Sequence, residues 1–293
     1  MDVYEIVTNR ILEDLKKGTI PWRKPWLGGK GAVSHVNGKS YSLLNQFLLG
    51  CSGEWLTYKQ AIKEGGKVKK GEKGSIVVFW KFLEKKLDEV DENGEQKVKS
   101  IPFLKYITVF EVNQCEGIKR KYTEVHDATD APVPHERAEE IYNDYAEREG
   151  IATNREGVKA FYRPATDSIT IPPIELFTDV AEYYSTLFHE AIHSTGALNR
   201  LSREGVIETH FFGDETYSKE ELIAEIGASM LTNIVGLDTE SSNRNNVAYI
   251  QSWMKELEKD KRLIVNASAK AEKAVKFILG ELKITHDMIE EEM

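Results

Sequence analysis

His189-Glu190-Ala191-Ile192-His193 is the stretch that decides how this chain is read. It lies in an apolar, helix-patterned segment that includes Tyr183, Tyr184, Leu187, Phe188, Ala191 and Ile192. On a helix, residues i and i+4 share a face, so the two imidazoles can grip one metal ion. Glu190 then sits beside that ion, placed to take a proton from a water. The pattern predicts one zinc ion on His189 and His193, with Glu190 as the catalytic acid–base.

A catalytic zinc site needs a third protein ligand and an open position. One metalloprotease pattern continues H-E-x-x-H-x-x-G-x-x-H. Here Gly196 falls on the glycine, but Asn199 stands at the last histidine, which excludes that class. His210 lies in a polar, loop-like stretch and is a weaker candidate. The helix-patterned run from Lys219 to Leu231 offers Glu221 and Glu225, four apart on one face. Glu221-x-x-Ala224-Glu225 resembles the E-x-x-A-D helix of glutamate-type zinc peptidases. Glu221 is therefore expected as the third ligand and Glu225 as a partner of a ligand imidazole. The reverse assignment stays open. Tyr217 and His210 are the candidates for stabilising an oxyanion.

Working outward, the 293 residues are 41% hydrophobic and 30% charged, enough apolar material for a core. Length suggests about two domains. No apolar run of about 18 residues is present, so no membrane span is expected. The start, Met1-Asp2-Val3-Tyr4-Glu5, does not read as a secretory leader. Cys51 and Cys115 form no C-x-x-C spacing, which suits a reducing cytoplasm.

Charge is unevenly spread. Residues 1–124 carry a net +6, whereas residues 125–293 carry a net −15. A polar stretch with two prolines, Pro132 and Pro134, divides them. The expected organisation is thus residues 1–124, a linker at 125–134, and a second domain at 135–293, with an α+β fold overall. In front, residues 2–18, 42–49 and 57–64 read as helices. Residues 75–82 and 101–112 read as paired strands around a charged loop, 85–100, with Asn93-Gly94 as its turn. Behind, a helix over 135–149 and two short strands at 161–162 and 168–171 precede the two metal helices. Helices over 246–262 and 266–282 close the chain.

The front half interleaves aromatics with cations: Trp22, Arg23, Lys24, Trp26, Tyr41, Trp55 and Tyr58, then the glycine-flanked Lys67, Lys69, Lys70 and Lys73. Single-stranded nucleic acid suits such a surface, because unpaired bases stack on flat rings and phosphates meet lysines. Trp80, Phe79 and Phe110 are assigned instead to packing.

Over nearly its full length the chain resembles the ArdC-type antirestriction proteins of conjugative plasmids and other mobile elements. In front, the resemblance rests on Trp22 and Trp26, Asn45, the run Trp55-Leu56-Thr57-Tyr58-Lys59-Gln60, and Lys69-Lys70-Gly71-Glu72. Behind, it rests on the run from Tyr162 to Pro172, Tyr183 to Glu190, His193-Ser194-Thr195-Gly196, Arg200-Leu201, Glu220 to Ala228, and Tyr249 to Trp253. Ser194 is a small departure, standing where an aromatic is expected. The resemblance implies a small α+β domain that binds single-stranded DNA, followed by a mostly helical zincin-like metallopeptidase domain with a small sheet. It also implies protection of incoming DNA from restriction, and a front domain similar to that of TraC-type plasmid primases. Three readings fit the residues: a DNA-directed zinc peptidase acting on a protein or peptide, a DNA-binding protective protein with a silent or structural zinc, and a repair protease cleaving DNA–protein crosslinks.

Overall fold

The structure is a computed structural model and describes residues 2–17, 20–23, 31–90, 96–122, 134–177, 179–207, 215–237 and 246–282. The chain begins with α1 (Val3–Lys16), whose Val7, Ile11, Leu12 and Leu15 form one buried stripe. A short 3-10 turn (Pro21–Arg23) follows. Then come β1 (Ala32–Ser34), α2 (Leu43–Leu49), β2 (Gly53–Leu56) and α3 (Tyr58–Lys63). Every residue of α2 is buried, and Gly50 ends it in the left-handed region at φ +66°. Thr57 and Gln60 form a reciprocal capping box at the start of α3.

A two-residue β3 (Lys67–Val68) leads into β4 (Ser75–Val90) and β5 (Gln96–Glu111), and β6 (Cys115–Glu116) pairs back on β3. The β4–β5 pair is a long antiparallel ribbon, in register from Ser75 opposite Val109 to Lys86 opposite Val98. It joins a four-stranded sheet in the order β1-β2-β5-β4, which leaves β4 at the edge. The expected loop over 85–100 is thus mostly strand. Its charged residues break the apolar alternation by which a strand is read from sequence. Its turn signal, Asn93-Gly94, lies outside the described residues.

The second half opens with α4 (Pro134–Glu149) and a three-stranded sheet of β7 (Ala152–Arg155), β8 (Phe161–Arg163) and β9 (Ser168–Ile171). The order is β7-β9-β8, with β7 parallel and β8 antiparallel to β9, so β8 is an edge strand. Helices α5 (Val180–Ser194), α6 (Glu204–Ile207), α7 (Glu215–Val235), α8 (Asn246–Lys259) and α9 (Leu263–Ile278) complete the fold. No helix among the described residues is long and apolar enough to cross a membrane.

One apolar core runs from α1 and α2 into α4, α5, α7, α8 and α9. Trp22 sits in it at 0% exposure, between Phe47 (6.2 Å) and Trp253 (5.3 Å). Its carbonyl accepts from the Ser229 hydroxyl of α7. The Thr8 hydroxyl donates to the Lys261 carbonyl at 2.7 Å, and the Leu43 N–H donates to Glu272 at 3.0 Å. The front elements are therefore bound to the closing helices by both packing and hydrogen bonds. Of the expected linker 125–134, only Pro134, the first residue of α4, lies within the described residues.

Candidate metal centre

Helix α5 starts at Asp179, whose carboxylate accepts from the Glu182 N–H at 2.7 Å. Its Tyr183, Leu187, Phe188, Ala191 and Ile192 are buried, and this turns His189 and His193 toward α7. The approach of α7 depends on Gly227. A Cβ there would lie 2.6 Å from Ile192 Cδ1 and 2.8 Å from Ile192 Cγ1. Glycine thus lets the two helices close at the level of the histidines.

Three donors converge between them. His189 Nε2 and His193 Nε2 are 3.1 Å apart. Glu221 lies 3.4 Å from each, one carboxylate oxygen toward His189 and the other toward His193. Four ligands at about 2.0–2.1 Å around a tetrahedral ion are separated by about 3.3 Å, close to the spacing at which each imidazole nitrogen meets a Glu221 oxygen. Nitrogen and carboxylate oxygen are also the donors that zinc and neighbouring divalent metals accept. Among the described residues no other group of three such side chains has this closeness.

The outer nitrogens of the rings meet carboxylates as well. His193 Nδ1 is 3.2 Å from Glu220, and His189 Nδ1 is 3.8 Å from Glu225. The first distance is a hydrogen bond, whereas the second is only an ion-pair distance. Glu220 is itself held by Arg203, at 2.9 Å and 2.7 Å through two nitrogens. Arg203 also donates to the Thr195 hydroxyl and the Ile192 carbonyl, both at 2.7 Å. Burial would raise the Glu220 carboxyl, but Arg203 and His193 outweigh it and hold the group down at about 2. Burial would lower His193, but Glu220 and Glu221 outweigh it and push the imidazole up to about 10. Glu221 is held below the usual carboxylate range: burial opposes this, and His189 and His193 prevail.

Glu190 lines the same cleft from α5 and is 8% exposed. Its Oε2 accepts from the Tyr162 N–H of the edge strand β8 at 2.8 Å. The Tyr162 hydroxyl donates to Asp167 at 2.8 Å. Asp167 takes a positive φ of 45° in the turn and receives the fully buried Arg200 at 2.8 Å and 2.6 Å. Arg200 also donates to the Ser194 carbonyl at 3.0 Å, so one guanidinium fixes β8 and β9 against the end of α5. The cleft, of about 280 Å³, lies between β8, α5, α6 and α7.

The sequence alone assigns no site role to Glu220, Arg203 or Arg200. Glu220 had a legible signal, since it adjoins Glu221. The two arginines act across folds of the chain that no local pattern records. Of the remaining candidates, Tyr217 lies in α7 but its side chain is outside the described residues, as is His210.

The front half requires correction. Trp22 and Trp55 are 0% and 4% exposed, so neither ring is available to a base. Trp22 is the bridge between the two halves, and Trp55 packs with Ala32, Leu49, Val77 and Val109. Tyr41 is half-buried against that cluster. Tyr58 is exposed, as are Lys67, Lys69, Lys70 and Lys73. Lys67 pairs with Glu116 at 3.0 Å, and the Lys69 ammonium donates to the Asn113 carbonyl at 2.7 Å. The Arg23 side chain, Lys24 and Trp26 lie outside the described residues. Conversely, Phe79 and Trp80, assigned to packing, are 40% and 44% exposed, while Phe110 packs partly buried beside Leu56 and Val112.

Comparison with known proteins agrees with this architecture. Residues 1–110 match the family described as the N-terminal domain of anti-restriction factor ArdC, and residues 136–270 match a zincin-like metallopeptidase family. The crystal structure of antirestriction ArdC from plasmid R388, in its Mn(II)-bound form, superposes with a TM-score of 0.71 at 36% identity. It covers 96% of this chain and 98% of that one. The metal-free R388 structure gives the same TM-score at 37% identity, covering 97% and 100%. The DNA primase TraC of Escherichia coli is 36% identical over 94% of this chain, which spans only 20% of that relative's length. The protein y4eC of Sinorhizobium fredii is 31% identical over 92% of this chain and 89% of its own. The chain belongs to the ArdC antirestriction family, in which an ArdC N-terminal domain is followed by a zincin-like metallopeptidase domain.

Proposed function

We propose that this protein binds single-stranded DNA through its front half and cleaves a protein or peptide at a zinc site held by His189, His193 and Glu221. The observation that carries the metal reading is the convergence of three side chains: the two imidazole nitrogens lie 3.1 Å apart, and each meets an oxygen of Glu221 at 3.4 Å. A bound divalent cation would supply Lewis acidity, making a water nucleophilic at neutral pH and polarising a peptide carbonyl. Glu190 is placed to take a proton from a water in the cleft and would return it to the leaving nitrogen. The Tyr162 N–H fixes the direction of the Glu190 carboxylate. Glu220 and Arg203 set the ring of His193, and Glu225 faces that of His189. Edge strand β8 borders the cleft, which suits an extended peptide.

The front half supplies a DNA partner in this reading, with Tyr58, Lys67, Lys69, Lys70 and Lys73 exposed to it. Its place of action is the cytoplasm, where restriction meets incoming DNA and where Cys51 and Cys115 stay out of disulfides. The decisive variant is Glu190→Gln in the full chain. It should keep the metal and lose cleavage of an unfolded protein offered with single-stranded DNA. Undiminished cleavage by that variant would sink the mechanism. Full antirestriction activity in the variant would instead favour protection by DNA binding alone.

A further inference from the structure

A second cavity, of about 600 Å³, lies between α9 and the outer edge of β4, away from the metal residues. Its wall on the sheet side begins at Asn45 of α2. The Asn45 side chain donates to the Val78 carbonyl at 2.8 Å and accepts from the Val78 N–H at 2.7 Å. That pair closes the β4 edge at Val78, and the ribbon runs on past it. Phe79 and Trp80 then stand at the cavity, 40% and 44% exposed. On the helix side the lining includes Lys273, Lys276 and Ser268. Ser268 is 1% exposed, and its hydroxyl has no hydrogen-bond partner among the described residues. Glu272 is the acid of this wall, and it is engaged by the Leu43 N–H and by Lys276 at 2.8 Å.

Cations and rings alternate along the ribbon that borders the cavity. Phe79 lies opposite Lys105, and Lys81 lies opposite Phe103, which puts all four on one ribbon face. The Lys105 ammonium sits 5.3 Å above the Phe103 ring. On the other face Trp80 meets Tyr4 edge-on at 6.4 Å, and the Arg262 guanidinium lies 5.2 Å over Tyr4. Residues 75–83 and 101–110 contain no Asp or Glu. A buried apolar surface would not keep lysines in register with its rings, and a surface exposed merely for solubility would not keep Phe and Trp at the mouth of a cavity. Flat rings with interleaved cations match an unpaired base and its phosphate.

We propose that this groove is the single-stranded DNA site. A base stacks on Phe79 or Trp80, its phosphates run along Lys81, Lys105, Lys273 and Lys276, and the Ser268 hydroxyl meets the edge of an inserted base. The proposal rests on the single-stranded DNA reading above and deepens it. It moves the contact from Tyr58 and the lysines between Lys67 and Lys73 to the β4–β5 ribbon. It also makes α9, which packs on the metal helix α7, half of the DNA site.

The test uses the full chain and an oligothymidylate of about 12 nucleotides carrying photoreactive 4-thiothymidine. Cross-linked peptides are mapped by mass spectrometry, and affinity is read by fluorescence anisotropy. Cross-links should fall within residues 76–83 and 263–282. Phe79→Ala and Trp80→Ala should each weaken binding on the order of ten-fold. If the wild-type chain binds but cross-links only around Lys67 to Lys73, with both variants binding normally, the groove is overturned and DNA binding stands. If the wild-type chain binds no single strand, both readings fall. If an unfolded polypeptide displaces the oligonucleotide and itself cross-links to β4, the groove takes a protein strand and the proposal is again overturned. The cross-link map needs no substitution, so misfolding of a variant cannot decide the matter.

Discussion

Replacing Gly227 by alanine tests whether helix contact sets the metal geometry. In an ordinary helix interior this change stabilises by about 1 kcal/mol. Here the new methyl carbon would lie 2.6 Å and 2.8 Å from Ile192 Cδ1 and Cγ1. Carbon atoms rest at about 3.5–4.0 Å, so α5 and α7 must separate by about 1 Å or Ile192 must leave its rotamer. Ile192 is fully buried and β-branched, which makes rotation costly. Overpacking of this kind costs about 1–3 kcal/mol and outweighs the helix gain. A separation of about 1 Å would also lift Glu221 out of reach of an ion held by both histidines, which needs ligand spacings of about 3.3 Å. Gly227→Ala should therefore lower the melting temperature and weaken metal binding by at least about ten-fold, read by competition with a chromophoric chelator. Ile192→Val removes Cδ1, so the double variant should regain part of the loss, and the coupling is measurable as a cycle. A Gly227→Ala protein more stable than wild type, with unchanged metal affinity, would refute the reasoning.

Trp22→Ala should destabilise the whole chain by about 3–5 kcal/mol, because it empties a fully buried site between Phe47 and Trp253. A melting temperature close to wild type would mean that the ring is not a bridge between the halves. The raised imidazole of His193 makes a pH prediction. Its folded value is about 10 against an ordinary 6.5, so protonation favours the metal-free fold. That contribution is complete below about 6.5 and is lost as pH rises through about 10. Melts in chelator should thus decline across that window, while metal-loaded protein should not follow. Because a cation displaces the same proton, metal affinity should climb with pH over the same range. A metal affinity independent of pH there would contradict the coupling of His193 to the two carboxylates.

How legible the molecule was from sequence depends on the reach of each interaction. His189, Glu190 and His193 are read from one helix turn, and their pattern needs no knowledge of the fold. Glu221 was read from a four-residue spacing, and the helix α7 does bring it between the two rings. The partner of His193 was not read. Glu220 points there because Arg203, from a separate segment, draws both its oxygens. Helix α2 and strand β9 match segments that read as helix and strand, whereas β7 has no such signal, since its Ala152, Asn154 and Arg155 are exposed and carry no strand pattern. The tryptophans show the limit most clearly. Lysine neighbours made Trp22 and Trp55 look like surface rings, and an apolar run made Phe79 and Trp80 look like core. Burial of a ring depends on what packs over it. For Trp22 that is α7 and α8, more than 200 residues away in the chain.

The central claim is that His189, His193 and Glu221 hold one divalent ion, with Glu225 outside the ligand set. Elemental analysis of the purified full chain, wild type beside Glu221→Ala and Glu225→Ala, tests it most directly. One ion per wild-type chain is expected, lost with Glu221→Ala and largely kept with Glu225→Ala. A wild-type chain without metal after exposure to zinc or manganese, or loss confined to the Glu225 variant, would contradict the assignment.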